Sequence, residues 1–177
     1  MGDFYKYIDY AMNVGFTNAV LMENFELDCD PSIRELCNPE QCKNYSGNWV
    51  CPPGCGTLEE CRDRVKGRSV CILLQSVSDL PNGYDADRLK TLSRNHNLRL
   101  GKLIEKVSEE GHSVLSLTSG GCIFCEECRY PKPCVKPDKK MQSLSAHGVD
   151  VGRICEKAGL PFFFREDRVY YVACLLI

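Results

Sequence analysis

No long apolar run, no excess of either charge, no basic stripe and no leader-like start mark this sequence, and each absence closes off a class of function. Nowhere do apolar residues run on to the ~18 that a membrane span needs. Lysines and arginines, 22 in all, are scattered among 24 acidic residues for a formal net charge of −2, so a nucleic-acid backbone is not an expected partner. The opening Met1-Gly2-Asp3-Phe4-Tyr5-Lys6 has no cationic segment leading into an apolar one, and Lys6 stands where a myristoylation signal has Ser or Thr. No internal repeat is visible, and no acid–base pair stands out. These absences predict a cytoplasmic, reduced protein with neither membrane nor nucleic acid as partner.

What the chain has in excess is cysteine: thirteen among 177 residues, an odd number. A disulfide scaffold wants an even count and an oxidising compartment, so the thiols are expected to bind metal. The C-terminal set is Cys122, Cys125, Cys128 and Cys134, spaced C-x2-C-x2-C-x5-C. Thiols at successive three-residue steps can all converge on one inorganic body larger than a single ion. The spacing resembles the ligand run of bacterial ferredoxins around a cubane iron–sulfur cluster. Gly120 and Gly121 let backbone amides approach anionic sulfur, and Pro131, Pro133 and Pro137 stiffen the loop. Structural zinc usually takes two well-separated C-x2-C pairs, so zinc is the secondary expectation.

The N-terminal set is Cys37, Cys42, Cys51 and Cys55, spaced C-x4-C-x8-C-x3-C, with Pro52-Pro53 fixing the backbone after the third cysteine. Cys29 and Cys61 compete for its fourth position, although Cys61 shares a helical face with Leu58 and Val65 and reads as core. Thr57-Leu58-Glu59-Glu60 is a capping box, so a helix opens just behind Cys55, and a helix N-terminus favours an anionic thiolate. Four cysteine ligands make a cluster an electron carrier, whereas three leave an iron open to bind a substrate atom as a Lewis acid. Trp49 and Tyr45 inside the set serve either as its roof or as ordinary packing.

The remaining sequence reads as an α/β fold: a mixed sheet flanked by helices, with two cysteine-rich metal-cluster loops. Helices are predicted over about 4–14, 57–67 and 85–110, and from Val151 to Ala158. Strands are predicted at Ala19–Met22, Val70–Val77, Val114–Leu117 and Val169–Ile177, with Asp3 capping the first helix and Pro81-Asn82-Gly83 breaking the chain. One α/β domain is expected over 1–177, with cysteine segments at about 29–56 and 119–140. Cys71, Cys155 and Cys174 sit on apolar faces and are expected in the core, as is His96. His112 is expected to be exposed and Asp150 to cap the last helix, with proton transfer the alternative for His147 and Asp150. Arg62, Arg64 and Arg68 read as a solvated helix face, with anion binding as the alternative.

Cys37-x4-Cys42-x2-Tyr45, Cys51-Pro52-Pro53, the C-x2-C-x2-C run with Tyr130-Pro131, Cys134-Val135-Lys136-Pro137 and Gly148-Val149-Asp150-Val151 follow one another in that order. Together they resemble a family of cysteine-rich predicted metal-binding, iron–sulfur proteins that come largely from anaerobic bacteria and archaea. The resemblance covers roughly Arg34 to the C-terminus and implies a metal or iron–sulfur protein without implying a reaction. Two departures are visible: Val135 stands where the family tends to have arginine, and Ser145 where it tends to have glutamate. The family pattern fixes Cys37, Cys42 and Cys51 better than Cys55. The leading expectation is therefore a protein with two [4Fe-4S] clusters that passes electrons to a redox partner protein. Behind it come a small iron–sulfur enzyme acting on a small-molecule substrate, and a zinc-stabilised interaction module.

Overall fold

Two strands read almost continuously apolar, and they sit side by side at the centre of the sheet. The computed structural model describes residues 4–81 and 83–177; Asp3, expected to cap the first helix, and Asn82 of the expected chain break lie outside them. Among the described residues, ten α-helices and strands follow one another: α1 (Tyr5–Asn13), β1 (Asn18–Glu23), α2 (Pro31–Glu35), α3 (Leu58–Val65), β2 (Val70–Asp79), α4 (Ala86–Glu109), β3 (Leu115–Thr118), β4 (Gln142–Ser143), α5 (Val151–Lys157) and β5 (Arg168–Leu176). The five strands form one sheet in the order β1-β2-β5-β3-β4. All neighbours are antiparallel except β3 and β4, which run parallel. The mixed sheet with flanking helices agrees with the sequence reading.

Alternation along the central strands divides the core in two. Ile72 and Leu74 of β2 and Ala173 and Leu175 of β5 face α1 and α4, meeting Tyr7, Ala11, Leu100, Leu103, Ile104 and Val107. Cys71, Leu73, Val172, Cys174 and Leu176 face the other way, against Ile154 and Cys155 of α5. Each fully buried leucine contributes roughly 1.5–3 kcal/mol relative to exposure. The three cysteines on that second face are completely buried, as expected of core thiols. His96 is also fully buried, its Nδ1 2.9 Å from Ser76 Oγ and its ring edge-on to Phe16.

Local chemistry sets the element ends. Thr57 and Glu60 form the reciprocal bonds of a capping box on α3, and the Asp85 carboxylate accepts from Arg88 N at the start of α4. Asp150 caps α5 by accepting from Arg153 N at 3.1 Å, so capping is its role in the fold. Sequence periodicity passes over α2 and β4, which are too short to show one. His112, expected to be exposed, is half-buried against the rings of Phe4 and Tyr7. Among the described residues no helix is long and apolar enough to cross a membrane.

Candidate metal centre

Backbone turns build the N-terminal cysteine segment between β1 and α3. The Asp30 carboxylate accepts from Ser32 N to start α2, and Pro31 follows it at the first helical position. Cys37 N then donates to Arg34 O, Cys42 N to Asn38 O, Tyr45 N to Cys42 O and Cys55 N to Cys51 O. Asn48 Oδ1 accepts from Val50 N and Cys51 N at 3.0 and 2.9 Å. The segment is pinned from behind by Asp30 N donating to Gly148 O. Gly148 has φ 72°, and a Cβ there would lie 2.5 Å from Asp30 O, so only glycine permits this docking. That requirement gives a physical reason for the first residue of Gly148-Val149-Asp150-Val151.

Cys37 lies within electrostatic reach of Cys42, Cys51 and Cys55, and Cys51 within reach of Cys42 and Cys55. Burial pushes the Cys37 and Cys51 thiols up, with the neighbouring sulfurs adding to it. Cys55 behaves oppositely. A hydrogen bond from Cys61 brings its thiol down to about 6 against its burial, and the Arg34 guanidinium helps. Cys61 moves up correspondingly, because it keeps its proton to donate.

Two arginines enclose that thiol pair. Arg34 Nη1 donates to Cys55 Sγ at 3.2 Å and to Ala146 O, while its Nη2 donates to Gly56 O at 2.6 Å. Arg64 Nη2 donates to Cys61 Sγ at 3.0 Å and to Cys55 O at 2.5 Å. His147, fully buried, holds Ser143 O through Nδ1 at 3.0 Å, and burial keeps its imidazole down at about 4. The solvated-face reading of these arginines holds for Arg62, which is exposed, and fails for the half-buried Arg64 and Arg68. Arg64 turns inward to the thiols, Arg62 donates to Cys29 O at 2.7 Å, and Arg68 donates to Ser113 O and Leu176 O. Helical periodicity passes over these positions because a guanidinium reaches round its own helix to polar atoms that periodicity does not register. Arg34 carried no sequence signal beyond its nearness to Cys37. Cys29, the other competitor for the fourth position, is buried with Arg62 and Asp28 as its charged neighbours.

The C-terminal segment leaves the end of β3 and is tied to α4. Thr118 Oγ1 donates to Asn97 Oδ1 at 2.6 Å, and Asn97 Nδ2 donates to Gly121 O at 3.3 Å. Phe124 lies over Gly101, where an added Cβ would come within 3.6 Å of its ring. Lys136 Nζ closes the loop on Phe124 O. Cys122, Cys125 and Cys134 are half-exposed here and Cys128 is exposed. This set, the more regular in spacing, is the more open in space.

The two segments touch. Trp49 and Tyr130 pack edge-to-face with centroids 5.1 Å apart, and Trp49 Nε1 donates to Lys132 O at 2.8 Å. Trp49 is therefore a contact between the sets, whereas Tyr45 serves the turn after Cys42. Ser145, where the resembled family tends to carry glutamate, is exposed.

Among the described residues, no three Cys, His, Asp or Glu side chains stand close enough to hold one metal ion. A polynuclear cluster holds its ligands further apart than one ion does, and its donors are thiolates. The N-terminal set fits by donor type, with Arg34 beside Cys55 Sγ to offset negative charge. The C-terminal set fits by donor type and by the glycines that open its loop.

Fold and site together define an α/β protein with two cysteine-rich segments that touch. The chain belongs to the family described as predicted metal-binding protein (DUF2284), whose model matches residues 21–177. Neither the curated proteins nor the solved structures include a match to it.

Proposed function

We propose that this metal-binding protein is an iron–sulfur electron carrier. One [4Fe-4S] cluster would be held by Cys37, Cys42, Cys51 and Cys55, the other by Cys122, Cys125, Cys128 and Cys134, and a redox partner protein would receive the electrons. The observation that carries this reading is the Arg34 guanidinium set against Cys55 Sγ, in a four-cysteine segment that touches the second cysteine run. Bound there, such clusters supply one-electron redox chemistry. The chain's own part is electrostatic and steric. Arg34 and Arg64 offset anionic sulfur, the N-terminus of α3 adds partial positive charge, and Trp49 with Tyr130 packs the seam between the loops.

One observation favours a second reading, a small enzyme with an open iron on Cys37, Cys42 and Cys51. Cys55 Sγ already has Arg34 and Cys61 as partners, so it is the least free of the four. Replacing Cys55 by alanine separates the two readings. The carrier requires loss of the N-terminal cluster from anaerobically purified protein, read as iron and acid-labile sulfide. Unchanged iron and sulfide would transfer the argument to the open-site enzyme, and stoichiometric zinc without sulfide would sink both.

A further inference from the structure

Trp49 lies two residues ahead of Cys51, and Tyr130 two residues after Cys128, so their contact joins the two cysteine sets through side chains next to the ligands themselves. The surroundings are specific to this arrangement. The Trp49 N–H is used on Lys132 O, 83 residues along the chain. Gly54, between Cys51 and Cys55, leaves the space Tyr130 occupies: a Cβ there would lie 2.9 Å from the Tyr130 ring and 2.5 Å from Asn48 O. Each loop is anchored separately to the fold, the first at Gly148 and the second at Asn97 and Gly101. The contact between them is therefore an additional constraint that neither loop needs for its own attachment.

We infer that the two cysteine segments form one composite metal centre, in which Trp49 and Tyr130 are positioning residues that fix the separation of the two metal groups. The inference rests on the two-cluster reading. An electron leaving the reduced group on one set arrives at the oxidised group on the other, so one is oxidised as the other is reduced, with no further reagent. A fixed aromatic contact at the seam holds that distance constant. It also makes the two groups magnetically visible to each other.

The test compares the unmodified protein with Tyr130→Ala and Tyr130→Phe, with Trp49→Phe as a second break in the contact. Trp49 is the chain's one tryptophan, so its emission reads the contact directly in metal-free protein. Emission should move to longer wavelength in Tyr130→Ala and stay in place in Tyr130→Phe. After anaerobic reconstitution with iron and sulfide and full reduction with dithionite, iron content should match across the variants. The magnetic interaction between the reduced clusters should be lost in Tyr130→Ala, weakened in Trp49→Phe and kept in Tyr130→Phe. Unchanged emission with an unchanged interaction in Tyr130→Ala overturns the inference alone, as does loss of iron from the C-terminal set only. Unmodified protein that takes up iron at neither set overturns the two-cluster reading beneath it, a result distinguishable from the others before any variant is made.

Discussion

Arg34 joins more of the candidate centre than any cysteine does, since its guanidinium reaches Cys55 Sγ, Gly56 O and Ala146 O from one half-buried position. Its truncation to alanine leaves Cys55 Sγ and two carbonyls without that donor, so a loss of about 2–3 kcal/mol is expected, read as a lower denaturant midpoint. Arg34→Lys should recover only part of it, because an ammonium lacks the planar fork that serves several acceptors at once. At the same scale lie two buried histidines. Burial, then Arg99, holds His96 down to about 3, and burial holds His147 at about 4 with Arg64 and Arg34 adding to the effect. In the unfolded chain both would titrate near 6.5. Between the folded and unfolded values the unfolded state binds more protons, so this contribution is complete above about pH 6.5 and is lost as pH falls through the window. A denaturation midpoint that falls steadily from about pH 7 to about pH 5 checks this; a flat profile contradicts it.

Among the elements, α3 matters most to the centre, because it carries Cys61 and Arg64 and starts three residues after Cys55. Thr57→Ala removes the hydroxyl that accepts from Glu60 N and should cost about 1 kcal/mol, measured by thermal or chemical unfolding. Leu100 of α4 lies wholly in the core under β2 and β5, and Leu100→Ala should cost about 2–5 kcal/mol. These elements were legible in the sequence, because Thr57-Leu58-Glu59-Glu60, the stripe through Leu100, Leu103 and Val107, and the apolar runs of β2 and β5 each carry a local signal. The shorter α2 and β4 were not, since five and two residues hold no period. The cysteine sets were legible from spacing. Their surroundings were not: Arg34, Arg64 and the Trp49–Tyr130 contact depend on which loops the sheet brings together, and no sequence window spans them.

As a whole molecule, the protein places its cysteine loops on a sheet whose two core clusters, among the described residues, hold none of the eight candidate ligands, while Cys55 packs with Cys61 and Ala146 in a small cluster apart. Metal removal should therefore loosen the loops and leave the sheet standing. Hydrogen exchange on chelator-treated protein should show faster exchange over about residues 37–56 and 121–136, with β2 and β5 still protected; loss of protection in those strands would mean that the metal holds the fold itself. The most direct measurement is iron, acid-labile sulfide and zinc content of the anaerobically purified chain, taken with its visible spectrum. The two-cluster assignment predicts brown protein with about eight irons and about eight sulfides per chain. Colourless protein holding stoichiometric zinc and no sulfide would contradict it.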